Sequence, residues 1–392
     1  MELARNFSSP AASSSPVERE SGPFTFLEFF AGGGMARAGL GPKWRCLFAN
    51  DADPRKCAAY ERNWGAGSIL RGDVARLATA DIPGPADLAW ASFPCQDLSL
   101  AGTGAGLSGA RSGTFWPFWS LIRALNAESR GPRIVVLENV VGALTSHGGR
   151  DFAAIAGALA KEGFRFGALV IDARLFLPQS RPRLFVIALS RGANAPANLV
   201  GDSLAAPRAL RAAVEGLDRR TRSLWTWWRL PEPPRRNLFL SDIIEDKPEN
   251  VEWHSKAETA RLVSLMSTAH RARLDRARRS GAREVGAVYR RTRVDALGGK
   301  VQRAEIRFDG VAGCLRTSRG GSSRQTILIV EGRKTRSRLL SPREAARLMG
   351  LAEDYALPAR YNEAYDLVGD GVAVPVVRHL AETLLEPLLI SQ

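Results

Sequence analysis

The chain has 392 residues, 45% hydrophobic and 24% charged, a balance that suits an ordinary globular protein and excludes a fibrous repeat or wholesale disorder. Apolar runs such as Leu184 to Leu189 are too short to span a bilayer, and four cysteines without CxxC spacing fit neither a disulfide scaffold nor a zinc site; a reducing cytoplasm is expected. The net charge of +15 is concentrated, because residues 251–340 hold 21 basic and 8 acidic side chains while the other 302 residues carry only +2, which points to a polyanion, nucleic acid first, as the partner of that segment.

Residues 1–22 are rich in Ser, Pro and Ala, carry Glu2, Glu18 and Glu20 and have no apolar stretch, so they read as a disordered tail rather than a signal peptide. From Phe24 to Leu189 short β-rich strings alternate with helical ones, the pattern of a parallel sheet covered by crossover helices. Expected strands are Phe24 to Phe29, Arg45 to Ala49, Asp87 to Ala91, Ile134 to Leu137, Phe166 to Ile171 and Leu184 to Leu189. Expected helices are Pro54 to Asn63, with proline at its first position, Phe115 to Asn126 and Asp151 to Glu162. The fold class is therefore α/β, a doubly wound, mostly parallel sheet over residues 23–189. After Leu189 the chain turns Pro- and Arg-rich, as in Pro231 to Arg236 and Arg271 to Arg279, and loses regular alternation, which marks a smaller second domain over 190–337. In 338–392 Ser341 and Glu344 form a capping box around Pro342, starting a helix through Leu348, and Val376 to Leu388 reads as another. This segment is expected to return to the first domain.

In an open parallel sheet, ligands sit at the carboxyl ends of the strands, and four loops there carry unusual residues. The first, Phe30-Ala-Gly-Gly-Gly-Met35, offers bare backbone to a ligand at Gly32, Gly33 and Gly34, although a glycine triplet also makes a plain tight turn. Asp51, in Asn50-Asp51-Ala52-Asp53 at the end of the second strand, is placed to grip ribose hydroxyls, the plainer alternative being a helix cap. The spacing of roughly 20 residues between the two suits an adenosine-type cofactor, and the absence of GxGxxG favours a compact one over a dinucleotide. Gly72-Asp73 adds a polar contact near the adenine. The third loop, Phe93-Pro94-Cys95-Gln96, sets a cysteine on a proline-fixed turn ahead of a glycine-rich stretch, which suits a nucleophile under a lid. No histidine base accompanies it. Glu138-Asn139-Val140 supplies an acid at the end of an apolar strand, and Gln179, Arg181 and Arg183 precede the last one.

Together the strings FFAGGGMARAGLG, NDAD, GD, FPCQDLS, ENV, QSRPR, SPREAARLMGL and VGDGVAVP resemble, in this order from Phe24 to Leu388, the motifs of the bacterial-type C5-cytosine DNA methyltransferase family. The resemblance implies the S-adenosylmethionine-dependent methyltransferase fold, with cofactor contacts from Phe30, Gly32, Gly33, Gly34, Asp51, Ala52, Asp73, Pro94, Asp370, Gly371 and Val372. It implies that the Cys95 thiolate, beside Gln96, adds to carbon 6 of cytosine, that Glu138 acts at ring nitrogen 3, that Arg183 meets the carbonyl oxygen, and that Arg181 positions the Glu138 side or a phosphate. The cytosine must be flipped out of the duplex, with the glycine-rich segment closing over it and Ser99 touching phosphate. Three positions depart from the pattern: Met35 replaces a usual glycine, Phe93 the first proline of PPC, and Asp370 the usual asparagine. None removes a reacting group.

Region 190–337 is then the target-recognition domain. Thr317 to Gln325 is expected to read bases through Arg319, Arg324 and Gln325, while Arg276 and Arg278 anchor phosphates. Trp225, Trp227 and Trp228 suit core or domain anchors better than stacking groups. The expected protein is a DNA (cytosine-5-)-methyltransferase, monomeric on double-stranded DNA in a bacterial cytoplasm and accompanied by a cognate restriction endonuclease. The alternatives are methylation of RNA at cytosine 5, or a DNA-binding protein that keeps the fold without catalysis, against which Cys95 and Glu138 both speak.

Overall fold

The computed structural model describes residues 22–94, 112–294, 298–317 and 324–391. Cys95, Gln96, Ser99 and Arg319 lie outside the described residues, as do nearly all of the N-terminal tail and the glycine-rich stretch after Cys95.

The larger sheet contains β1 (Phe24–Phe29), β2 (Trp44–Asp51), β3 (Leu70–Arg71), β4 (Leu88–Ala91), β5 (Ile134–Val140), β6 (Arg165–Asp172) and β7 (Pro182–Leu189), in the order β3-β2-β1-β4-β5-β7-β6. β1 to β5 run parallel to one another, and β7 is antiparallel to both β5 and β6. Helices α1 (Met35–Leu40), α2 (Pro54–Trp64), α3 (Phe115–Ala127) and α4 (Arg150–Lys161) follow β1, β2, β4 and β5. Leu88-Ala-Trp-Ala91 is buried throughout, because the sheet is covered on both faces and its central strands need no polar side. Asp53 caps α2 by accepting from the Arg55 amide at 2.9 Å, with Pro54 filling the first turn. β5 runs three residues past its expected end at Leu137, so Glu138 and Asn139 lie within the strand rather than in a loop. The chain travels outward from β1 through β2 to β3 and returns to β4 on the other side of β1. That reversal opens a crevice at the carboxyl ends of β1 and β4.

The C-terminal segment packs back on this unit. The expected continuous helix from Val376 to Leu388 is instead a helix Val374–Leu380, a π turn Ala381–Leu385 and a helix Glu386–Ile390. Pro387 has no N–H to give to the carbonyl four residues earlier, so the regular ladder breaks before it. Buried Glu386 accepts from Trp44 Nε1 at 3.2 Å and Lys43 Nζ at 2.8 Å, tying the last helix to β2.

Where the sequence shows no alternation, the structure holds a second, antiparallel sheet: β8 (Arg283–Val294), β9 (Lys300–Arg307), β10 (Thr326–Glu331) and β11 (Lys334–Leu339), in the order β11-β10-β8-β9. Charged residues fill its exposed positions and mask the periodicity. The helix Thr268–Arg279 covers one face, packing Leu274 and Ala277 with Val288, Ala304, Leu328 and Val330. The tryptophans anchor the chain between the sheets to the larger unit: Trp225 lies edge-on to Phe166 at 5.6 Å, and Trp228 Nε1 donates to the Ile187 carbonyl at 3.2 Å. Among the described residues no helix is long and apolar enough to cross a membrane.

Candidate active site

A cleft of about 430 Å³ opens at the crevice, within the range of small-molecule sites. Its first wall is the turn after β1, where Phe30 adopts a left-handed conformation (φ 56°) that a bulky residue rarely takes, followed by Gly32 at φ 59°. At Gly32 a Cβ would meet no protein atom within 4 Å, which leaves open space on the cleft side. Asp51, only 9% exposed, fixes the turn from the end of β2: one oxygen accepts from the Gly32 amide at 2.9 Å and the other from the Asp53 amide at 2.8 Å. Each oxygen keeps a second lone pair for a ligand hydroxyl. Ala52 and Asp73 line the same wall, Asp73 also capping its own turn through the Ala75 amide at 3.0 Å. Gly33 lines the cleft as well, and its carbonyl accepts from Tyr355 Oη at 2.7 Å. Gly34 does not belong to the lining; it caps α1 at φ 77° against Trp64, so the third expected glycine contact is a turn residue instead.

The opposite wall comes from β4, β5 and β7. Pro94 lines it where β4 ends, and Asn139 Nδ2 donates to the Phe93 carbonyl at 3.2 Å, fixing the residue two before Cys95. Phe93 replaces a proline at no loss of order, because its ring is buried against Phe115 with centroids 5.6 Å apart. β7 pairs with β5 so that Arg183 lies opposite Val140 and one diagonal step from Glu138. Arg183 Nε thus comes within 3.2 Å of Glu138 Oε1, both side chains largely buried and lining the cleft. The cleft therefore joins an acid, a cation that orients it and Pro94, the residue before Cys95.

Arg181 lines the same cleft and carries a structural task as well. Its fully buried guanidinium donates to the carbonyls of Leu315 (3.0 Å), Gly369 (2.9 Å) and Gly371 (2.6 Å), so it clamps two distant segments to the start of β7. Gln179 is likewise buried, donating to the Leu348 carbonyl and accepting from the Leu315 amide. Cys314 sits beside both arginines; burial pushes its thiol up, but Arg181 and Arg183 outweigh it and hold the thiol below its ordinary value. Asp370, Gly371 and Val372 complete the rim.

Of the expected base readers, Gln325 is 3% exposed, and its amide bonds to the Val288 and Thr326 carbonyls and the Gly313 amide. With both ends of the amide committed to the core, it is a structural residue and not a reader. Arg324 bonds to Asn362 and stacks over Tyr361 at 5.6 Å, so it leans on the helix Tyr361–Asp370. Sequence reasoning missed Lys56, whose Nζ meets Asp370 Oδ2 at 2.8 Å on the cleft rim. Burial alone would lower its pKa, but Asp370 and Asp51 outweigh that and hold the ammonium above its ordinary value. An aspartate where asparagine is usual was the available signal that a cation stood nearby.

The donor set fits an adenosine-type cofactor: lone pairs on Asp51 and Asp73, bare backbone at Gly32, and room beside it. The family model described as C-5 cytosine-specific DNA methylase matches residues 24–386. Type II methyltransferase M.HpaII of Haemophilus parainfluenzae is 27% identical, the match covering 97% of this chain and 95% of the relative. Type II methyltransferase M1.ScrFI of Lactococcus lactis subsp. cremoris is 24% identical over 94% and 80%. Among solved structures, the Entamoeba histolytica methyltransferase EhMeth superposes with a TM-score of 0.60 at 12% identity, covering 93% of this chain and 98% of that one. Dnmt2 methyltransferase of S. pombe gives 0.56 at 16% identity, covering 93% and 99%.

Proposed function

The chain belongs to the C-5 cytosine-specific DNA methylase family, and from that premise we propose how its cleft transfers a methyl group from S-adenosylmethionine to carbon 5 of cytosine in DNA. The cofactor supplies an electrophilic methyl. Phe30, Gly32, Gly33, Asp51, Ala52, Asp73, Pro94, Asp370, Gly371 and Val372 hold it, Asp51 through ribose hydroxyls. Carbon 5 is a poor nucleophile in the intact ring, so the reaction needs a covalent catalyst. The Cys95 thiolate adds to carbon 6 of a cytosine flipped into the cleft, beside Gln96, while Glu138 holds the proton at nitrogen 3, and the ring becomes an enamine. Arg183 donates to the carbonyl oxygen of the base and keeps Glu138 aligned. Once carbon 5 carries the methyl and the donor has left as its neutral thioether, water in the cleft takes the carbon 5 proton, the Cys95 thiolate leaves carbon 6, and the nitrogen 3 proton returns to Glu138, which restores the ring.

The observation that carries this reading is the Glu138–Arg183 pair at 3.2 Å, facing the glycine turn and Asp51 across one cleft whose rim includes Pro94. Residues 23–189 with 338–392 form the catalytic unit in this reading, and 190–337 the target-recognition unit, with Ser99 and Arg319 on the DNA. The Type II names of the relatives support a cognate restriction endonuclease and a bacterial cytoplasm; reacting groups drawn from one chain support action as a monomer. The test is incubation of the purified protein with 5-fluorocytosine duplex and cofactor. A covalent adduct is expected in the wild type and not in Cys95→Ala, and an adduct in the variant, or none in the wild type, overturns the mechanism.

A further inference from the structure

Strands β8 and β9 outrun the rest of their sheet. β10 pairs with β8 only from Arg283 to Val288, whereas β9 continues alongside β8 from Tyr289↔Glu305 to Val294↔Lys300. Ala304 of β9, opposite Arg290, is still buried and donates its amide to the Leu265 carbonyl, so the two strands form a free ribbon from Arg291↔Arg303 outward, about 10 Å long at ~3.4 Å per residue. A two-stranded ribbon in water adds little stability of its own, and this one has no apolar face: Arg291, Thr292, Arg293, Gln302 and Arg303 are all exposed.

The root of the ribbon lies on the cleft side. Gly313 comes so close to the Tyr289 hydroxyl that a Cβ would overlap it, and the segment containing Gly313 is held by Arg181 at Leu315 and by Ser180 at Ala312. Gln325 fixes Val288, the last residue of β8 that pairs with β10. Directly opposed residues share a face, so the register puts Arg291, Arg293 and Arg303 on the face of Tyr289, the one turned toward that segment. Among the described residues Glu305 offsets two of them, at 3.4 Å from Arg291 and 2.7 Å from Arg293. The helix Thr268–Arg279 runs the other way: Arg278 bonds to Thr335 and Asp275 at the end of the sheet where β11 begins, a full strand length from the ribbon's root.

We infer that the β8–β9 ribbon is the arm that grips the target duplex over the cleft, laying Arg291, Arg293 and Arg303 along its phosphates. The inference rests on the reading of the cleft as a cytosine methyltransferase site and moves the anchoring role away from Arg276 and Arg278. A two-stranded ribbon is narrow enough to lie in the ~12 Å major groove, which lets its arginines follow a backbone.

The test measures affinity of the cofactor-loaded protein for a duplex of fixed sequence across a salt series, for the wild type, Arg291→Ala/Arg293→Ala/Arg303→Ala, the matching Lys triple, and Arg276→Ala/Arg278→Ala. Each phosphate contact contributes about 0.9 to the slope of log affinity on log salt. The Ala triple should lower the slope by about two to three units and the Lys triple should restore it, with calorimetric cofactor affinity unchanged as the sign of an intact fold. An unchanged slope in the Ala triple, or a larger fall in the Arg276/Arg278 variant, overturns the arm. The same fall on a single-stranded RNA of equal length, without one on duplex, also overturns it. The 5-fluorocytosine adduct of the wild type reports separately on the catalytic reading.

Discussion

Asp51 shows how one side chain serves both fold and ligand. Its two oxygens hold the Gly32 and Asp53 amides, so the glycine turn is preset before any ribose arrives. Replacing Asp51 with Ala should therefore weaken cofactor binding by about 10- to 100-fold, the range of one charged hydrogen bond, as read by calorimetry; equal affinity would remove Asp51 from the cofactor site. In the proposed mechanism Glu138 and Arg183 act at the base instead. Glu138→Gln keeps the shape but cannot deliver a proton at nitrogen 3, so single-turnover methyl transfer should fall by 10²-fold or more, the usual scale of a lost general acid, while cofactor affinity holds. An unchanged single-turnover rate would show that Glu138 is not the acid. Asp51 and Glu138 were legible in the sequence because each lies at the carboxyl end of a recognisable strand. Lys56 was not, since its partner Asp370 lies 314 positions away.

At the scale of elements, Arg181 couples the start of β7, the segment through Leu315 and the turn Gly369 to Gly371. Arg181→Met would fill the space but leave three buried carbonyls without these donors, each costing about 1–3 kcal/mol. Urea unfolding should show a loss of more than ~3 kcal/mol, together with weaker cofactor binding, because Gly371 lines the cleft. A fully stable variant with normal cofactor affinity would refute the clamp. The sequence marked this arginine by its place in QSRPR, yet the residue type alone did not reveal a buried clamp; three carbonyls from remote segments did.

Across the whole molecule, β11 is tied to the helix Pro342–Arg347 and to the chain at Glu245 by an ion pair with no solvent exposure. Arg338 of β11 meets Glu344 at 2.6 and 2.7 Å, and also donates to the Glu245 carbonyl at 2.7 Å. Breaking one partner strands the other charge in the interior. Glu344→Gln should cost about 3–5 kcal/mol, whereas Arg338→Met with Glu344→Leu should cost less, and a chemical-unfolding series in which the double variant is the weaker of the two would contradict this account. By itself the sequence determined the strands and helices of the catalytic unit, the glycine turn, the ribose acid and the order of the motifs, because apolar strings, caps and short motifs are written over neighbouring residues. Only the tertiary structure decided that Gln325 belongs to the core, that Arg181 clamps remote segments, and that an Arg-rich stretch without alternation folds into a sheet with a projecting ribbon. Those outcomes depend on partners distant in the chain and on which strand runs beyond its neighbour, and neither leaves a periodic trace in the residues themselves.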